Sequence, residues 1–323
     1  MNLKEIVWLI ACILSAGYLV FYIIFADVRK KAVARAAAGF DPIPAEELWS
    51  NTAMPEIKER RRPDSSVSFS SGNMTAALAF SIGGRQSQQD RVNVSPLALE
   101  DGSGIYAVLC DGMGGLAGGE KASSLTTEIL SAALSGTLPS GALHSTICAA
   151  MKSANEQVSS LCGENGRPLN CGTTALAAVA ANNELVWCSA GDSRIYLFRG
   201  GSLYQLTTDQ VFMLRLMDEV NSGMMTLQEA LSHPKRDALI SYIGSGEHLV
   251  IDRSASPVSL VPGDIVLLTS DGLYKTLTDQ EISSILFDCG ENLERASVEL
   301  VETAIEHGGR RQDNTTVALI RIN

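Results

Sequence analysis

Histidine is scarce in this chain. Only His144, His233, His248 and His307 are present, and none sits in a catalytic-triad or metal-binding motif. No Ser/His/Asp or Cys/His set can therefore be read from the sequence. The seven cysteines form no Cys-x-x-Cys pair, their number is odd, and several lie in apolar runs such as "YAVLCDG" and "LVWCSAG". That pattern reads as free thiols in a reducing compartment and argues against a zinc or disulfide framework. A phosphate-cradling Gly-x-x-x-x-Gly-Lys loop is missing, and so is any internal repeat. A basic excess is missing as well. The formal net charge is −11, which excludes nucleic acid as the natural partner because phosphate binding wants a basic face.

What the amino end does have is one long apolar run. Residues 6–26 read "IVWLIACILSAGYLVFYIIFA" without a charge. A helix rising ~1.5 Å per residue over that length crosses a ~30 Å hydrocarbon core. Trp8 near one end and Tyr18 and Tyr22 toward the other suit the two interfaces. The run is longer than the apolar stretch of a signal peptide, so a retained single-pass anchor over residues 1–26 is expected. Lys4 and Glu5 precede it, whereas Arg29, Lys30, Lys31 and Arg35 follow it. The positive-inside rule then puts the remainder of the chain in the cytoplasm, on a cell membrane. Residues 27–72 hold four prolines and the basic run 58–62, and read as a juxtamembrane linker. Residues 65–323 carry −12.

Beyond the linker, short apolar segments alternate with helical ones. Strands are expected at 76–82, 104–110, 173–181, 184–190, 193–199, 264–270 and 314–322. "NNE" (182–184) and "RGGS" (199–202) have the composition of hairpin turns. Helices are expected at 118–135, 141–161, 211–222, 279–288 and 291–307. A further one starts at the capping box Thr226-Leu227-Gln228-Glu229. Hairpins outnumber strand-helix-strand units, which favours an α+β class of antiparallel sheets flanked by helices.

Several of these apolar strands run into an aspartate: Cys110-Asp111-Gly112, Ala190-Gly191-Asp192 and Ser270-Asp271-Gly272. Asp313-Asn314 precedes the last strand, and Asp90 follows "GGRQSQQ". A lone Asp-Gly is usually a turn. An acid at the end of each of several buried strands instead places carboxylates together at a sheet edge. Hard cations such as Mg2+ and Mn2+ take oxygen ligands of this kind, and two of them can activate water and clamp a phosphoryl group.

The segments "CDGMGGLAGGEKAS" (110–123), "CGTTALAA" (171–178), "AGDSRIYLFRGGSLYQLTTD" (190–209), "HPKRDALISYIG" (233–244), "LLTSDGL" (267–273) and "RRQDNTTVALIRI" (310–322) come in one order. Together they resemble the type-2C, metal-dependent protein serine/threonine phosphatases in their bacterial form. The resemblance covers residues 73–323 and implies a four-layer αββα sandwich of two mainly antiparallel β-sheets. It implies two Mn2+ or Mg2+ ions, with a third as an option. Asp111 would bridge the metals, the Gly112 carbonyl, Asp271 and Asp313 would complete the direct ligands, and Asp90 would hold a bound water. Asp192 would serve the third metal, Asn314 would support the last ligand, and Arg85 would grip phosphate. The implied reaction is hydrolysis of phosphoserine or phosphothreonine in proteins by a metal-bridged water. The implied partners are phosphorylated proteins and a cognate Ser/Thr kinase, with membrane lipid met through the anchor.

The sequence departs from the family pattern at Gln88, Leu116, Gln210 and Asp237. The last two bracket a flap over roughly 207–243. A catalytically inactive, membrane-tethered docking module of the same fold is the alternative reading, and a two-metal hydrolase of small phosphoesters is a third.

Overall fold

The computed structural model describes residues 63–163 and 166–323. The expected anchor (6–26) and all but the end of the linker lie outside the described residues. Among the described residues, no helix is long and apolar enough to cross a membrane.

The chain begins with β1 (Ser65–Ser71), β2 (Met74–Ser81), β3 (Asp90–Leu99) and β4 (Gly102–Met113). Helix α1 (Gly115–Ala133), β5 (Thr137–Leu138) and α2 (Leu143–Ser159) follow. Next come β6 (Gly172–Thr173), β7 (Ala175–Ala181), β8 (Glu184–Ala190), β9 (Arg194–Arg199) and β10 (Ser202–Gln205). The flap carries α3 (Met213–Asn221) and α4 (Leu227–Ser232). Then come β11 (Asp252–Arg253), β12 (Val258–Ser259), β13 (Ile265–Thr269), α5 (Asp271–Tyr274), α6 (Asp279–Cys289), α7 (Leu293–Gly308) and β14 (Thr315–Ile322).

The strands form two sheets. The six-stranded sheet runs β1-β2-β14-β13-β9-β10, antiparallel throughout. The eight-stranded sheet runs β11-β8-β7-β4-β3-β5, with β12 beside β8 and β6 beside β4. Among the described residues, only β3 and β5 pair in parallel. Both faces of the central strands are buried, which explains their near-continuous apolar composition. In β14, Ala318, Ile320 and Ile322 face the other sheet, whereas Val317 and Leu319 face α6 and α7. In β7, Leu176, Ala178 and Ala180 point inward, and Ala175, Ala177 and Val179 point toward α1 and α2. These contacts make three apolar layers between helix, sheet, sheet and helix, which is the four-layer αββα sandwich.

Turn chemistry is as expected. Asn182 and Asn183 both take φ of 53° in the β7–β8 hairpin, a left-handed pair that asparagine tolerates. Thr226 and Glu229 close their capping box at the start of α4. Among the strands that go beyond the expectation, β1 and β3 are the longest. "SSVSFSS", assigned to the linker, is β1: Val67 and Phe69 alternate with serine and pack on the core between the sheets. The folded domain therefore begins before residue 73. β3 escapes notice because polar residues interrupt it and it contains Pro96. Proline is tolerated there because β5 covers the outer side of β3 only at Ala98 and Leu99.

Candidate active site

The register of the strands brings the acids together. Asp90 opens β3 and lies directly opposite Asp111, near the end of β4. Asp192 sits in the connection from β8 to β9, Asp271 begins α5 directly after β13, and Asp313 precedes β14. Asp90 and Asp111 thus come from the eight-stranded sheet, Asp271 and Asp313 from the six-stranded one. Arg85, Asp111, Gly112, Asp192, Asp271, Asp313 and Asn314 line one open pocket of about 680 Å³. Asp90 is buried beneath it.

The backbone at each acid is fixed by short local bonds. The Asp111 N–H donates to Thr174 Oγ1 at 3.0 Å, and its carbonyl accepts from the Thr174 N–H and Thr173 Oγ1 at 2.8 Å each. Gly112 has no room for a side chain, since a Cβ would come within 2.3 Å of the Gly119 carbonyl. Asn314 ties the 82–89 loop down: its Oδ1 accepts from the Gln89 N–H at 2.8 Å, and its Nδ2 donates to the Ile82 and Ser87 carbonyls. The supporting role expected of Asn314 therefore has a physical form.

Electrostatics set the chemistry of this cluster. The Asp111 carboxyl is held well above the ordinary carboxylate range by burial, with Asp90, Asp271, Asp192 and Asp313 all adding to the shift. Burial also pushes Asp90 up to about 7, against the hydroxyls of Thr316 and Ser270 that donate to its Oδ2 at 2.7 and 2.8 Å. Asp90 Oδ1 is buried without a hydrogen-bond partner. Asp313 is raised by burial and by Asp271, and Asp192 by burial with Asp271 adding. A set of crowded oxygen donors, one of them orphaned, fits hard divalent cations.

Two protein cations already face these acids. Arg85 donates to Asp313, and Lys275 Nζ lies 2.6 Å from Asp271 Oδ2 and 3.4 Å from Asp192 Oδ2. Among the described residues, no three His, Cys, Asp or Glu side chains are placed to hold a metal ion together as they stand. Sequence reasoning missed Lys275, as well as Ser270, Thr316 and Thr174. The Asp271–Lys275 spacing of four on a helical turn was the available signal for the lysine.

At the flap, Asp237 lines the pocket, but Gln210 does not. Gln210 is buried, and its Oε1 accepts from the Gly191 N–H at 3.0 Å. Its role is to fasten the base of the flap to the loop that carries Asp192. The side chain of Leu116 lies outside what is described.

A sandwich of this topology with a ring of acids at one end defines a class, and sequence comparison agrees. The profile of the family "Protein phosphatase 2C" matches residues 81–306, and the chain belongs to that family. A relative, the serine/threonine phosphatase stp of Listeria welshimeri, is 30% identical over 236 residues, spanning 69% of this chain and 90% of the relative. The solved structure of the S. agalactiae serine/threonine phosphatase superposes with a TM-score of 0.67 at 27% identity, covering 77% of this chain and 100% of that one. The catalytic domain of the serine/threonine protein phosphatase PstP, solved with two manganese ions, superposes with a TM-score of 0.61 at 29% identity. That match covers 77% of this chain and 97% of that one.

Proposed function

We propose that the chain hydrolyses phosphoserine and phosphothreonine in proteins, with divalent cations held at the Asp111 cluster. One observation carries this reading: carboxylates from both sheets crowd one open pocket, where burial first and their mutual repulsion second hold Asp111, Asp192 and Asp313 above the ordinary carboxylate range. Asp111, the Gly112 carbonyl, Asp271 and Asp313 would hold two cations, and Asp90 Oδ1 would accept from a bound water. Manganese or magnesium bound there supplies an activated water at neutral pH and offsets phosphate charge.

The chain's own residues supply position. The Arg85 side chain is 57% exposed at the pocket rim, free to turn its guanidinium from Asp313 to the phosphate oxygens of a substrate. Thr173 and Thr174 fix the Asp111 backbone, and Asn314 fixes the loop that bears Arg85. Ser270 and Thr316 keep Asp90 in one orientation, with Oδ1 aimed away from both hydroxyls.

The apolar run 6–26 and the basic residues after it support a membrane tether with this domain in the cytoplasm. A tether raises the local concentration of phosphoproteins at the bilayer, among them the targets of a membrane-linked Ser/Thr kinase. The test uses the full chain in detergent with a phosphothreonine peptide and MnCl2. Phosphate release is expected, with near-complete loss in Asp271→Asn and a retained circular dichroism spectrum. A folded, manganese-binding wild type that releases no phosphate would make the chain a docking module instead. Alkaline-carbonate washing of membranes tests the tether, and release of the chain into the wash would exclude it.

A further inference from the structure

The Asp192 corner of the pocket already contains a cation, and it belongs to the chain. Asp271 and Lys275 stand four residues apart, and the Lys275 N–H closes the α5 turn on the Asp271 carbonyl at 3.0 Å. That turn puts both side chains on one face. The ammonium is thereby delivered to Asp271 Oδ2 at 2.6 Å and to Asp192 Oδ2 at 3.4 Å.

The surroundings hold it there. The Tyr274 hydroxyl donates to the Asp192 carbonyl at 3.0 Å, which locks α5 onto the β8–β9 connection. Arg194 stacks on the Tyr274 ring at 3.6 Å from its centroid, and the Arg194 guanidinium donates to both carboxylate oxygens of Asp209. The Tyr274 ring is fixed, and the Lys275 ammonium lies 5.9 Å from its centroid, within range of a cation–π attraction.

A divalent ion held by Asp192 and Asp271 would have to compete with Lys275 for the same pair of carboxylates. Hard cations bind carboxylates at roughly 2.0–2.2 Å and repel an ammonium at the same oxygens. The two cannot share the position. We propose that Lys275 is a built-in replacement for a third metal ion. Its ammonium neutralises Asp192, so the chain holds divalent cations at the Asp111 cluster and none at Asp192. This inference rests on the metal-dependent reading above and revises the sequence expectation for Asp192.

The experiment counts manganese rather than turnover. Full-length wild type, Asp192→Asn, Lys275→Met and Lys275→Arg are stripped with chelator, dialysed against saturating MnCl2 and assayed by elemental analysis. Circular dichroism checks each fold. Asp192→Asn is expected to bind as much manganese as wild type, because it removes only one of the lysine's two carboxylate partners. Lys275→Met is expected to gain one equivalent, and Lys275→Arg, which keeps the charge, is expected to gain none. Loss of one equivalent in Asp192→Asn would overturn the proposal even if Lys275→Met failed to fold. A folded Lys275→Met variant with the wild-type count would overturn it too. A wild type that binds no manganese would instead overturn the reading of the Asp111 cluster, on which this one depends.

Discussion

Asp90 offers the clearest quantitative test of the site. Its carboxyl is pushed up to about 7 from the ordinary 3.8, chiefly by burial, with Asp271 and Asp313 adding to the shift. A difference of roughly three pH units corresponds to ~4 kcal/mol between protonated and ionised forms. The sign follows from proton binding. Between about pH 4 and pH 7 the folded chain holds a proton on Asp90 that the unfolded chain has lost. The stability associated with that proton is complete below pH 4 and is lost as the pH rises through 7. Asp90→Asn removes the titration while leaving an amide oxygen to accept from Ser270 and Thr316. In chelator, the stability of wild type relative to Asp90→Asn should fall by about 3 kcal/mol between pH 4.5 and pH 8.5. At roughly 2–4 °C per kcal/mol for a domain of this size, the difference in melting temperature should change by about 10 °C. Fluorescence of the buried Trp187 is a convenient probe. Manganese at pH 8.5 should stabilise wild type more than the variant. Melting curves of the two proteins that stay parallel across this range would refute the assignment of a crowded, protonated carboxyl.

Other outcomes follow from single contacts. Arg85→Ala should lower kcat/KM for a phosphopeptide by about 10–100-fold, the loss of charge-assisted bonds worth roughly 1.5–3 kcal/mol, with manganese binding unchanged. An unchanged kcat/KM would remove Arg85 from the site. Gly272→Ala would bring a Cβ within 2.1 Å of the Asn314 carbonyl, a backbone atom with nowhere to move. Urea unfolding should show a loss of at least ~1–3 kcal/mol, and an unchanged midpoint would contradict the packing described. Cys148 shares a hydrogen bond with Cys188, 3.7 Å between sulfurs, and this contact, with Arg253 and Lys152 nearby, holds its thiol below the ordinary range. At pH 7 Cys148 should be alkylated faster than free cysteine, and Arg253→Ala should slow the reaction, followed by mass spectrometry. Equal rates in both proteins would argue against that environment.

Much of this was legible in the sequence, for identifiable reasons. Strands buried on both faces, such as β7 and β13, appear as unbroken apolar runs, and the β7–β8 and β9–β10 turns carry Asn-Asn and Gly-Gly. The acids stood out because each interrupts or ends such a run. β1 and β3 were harder to see, since serines, asparagine and Pro96 dilute an alternation that is meaningful only once the partner strand is known. Lys275 was invisible for a different reason. Its meaning depends on Asp192, which is 83 positions away in the chain and meets it only through the pairing of β9 with β13. Gln210 was likewise read by its place in a motif, although its function is a buried bond to Gly191.

The acids of the pocket come from opposite sides of the sandwich. Asp90 and Asp111 ride on one sheet, Asp271 and Asp313 on the other, and the core between them is packed apolar side chains, Phe80 and Trp187 among them. An ion held by both sets would act as a rivet through that seam. Its grip would hold the two sheets in one register, so the same ion would serve the stability of the sandwich as well as the chemistry of the pocket.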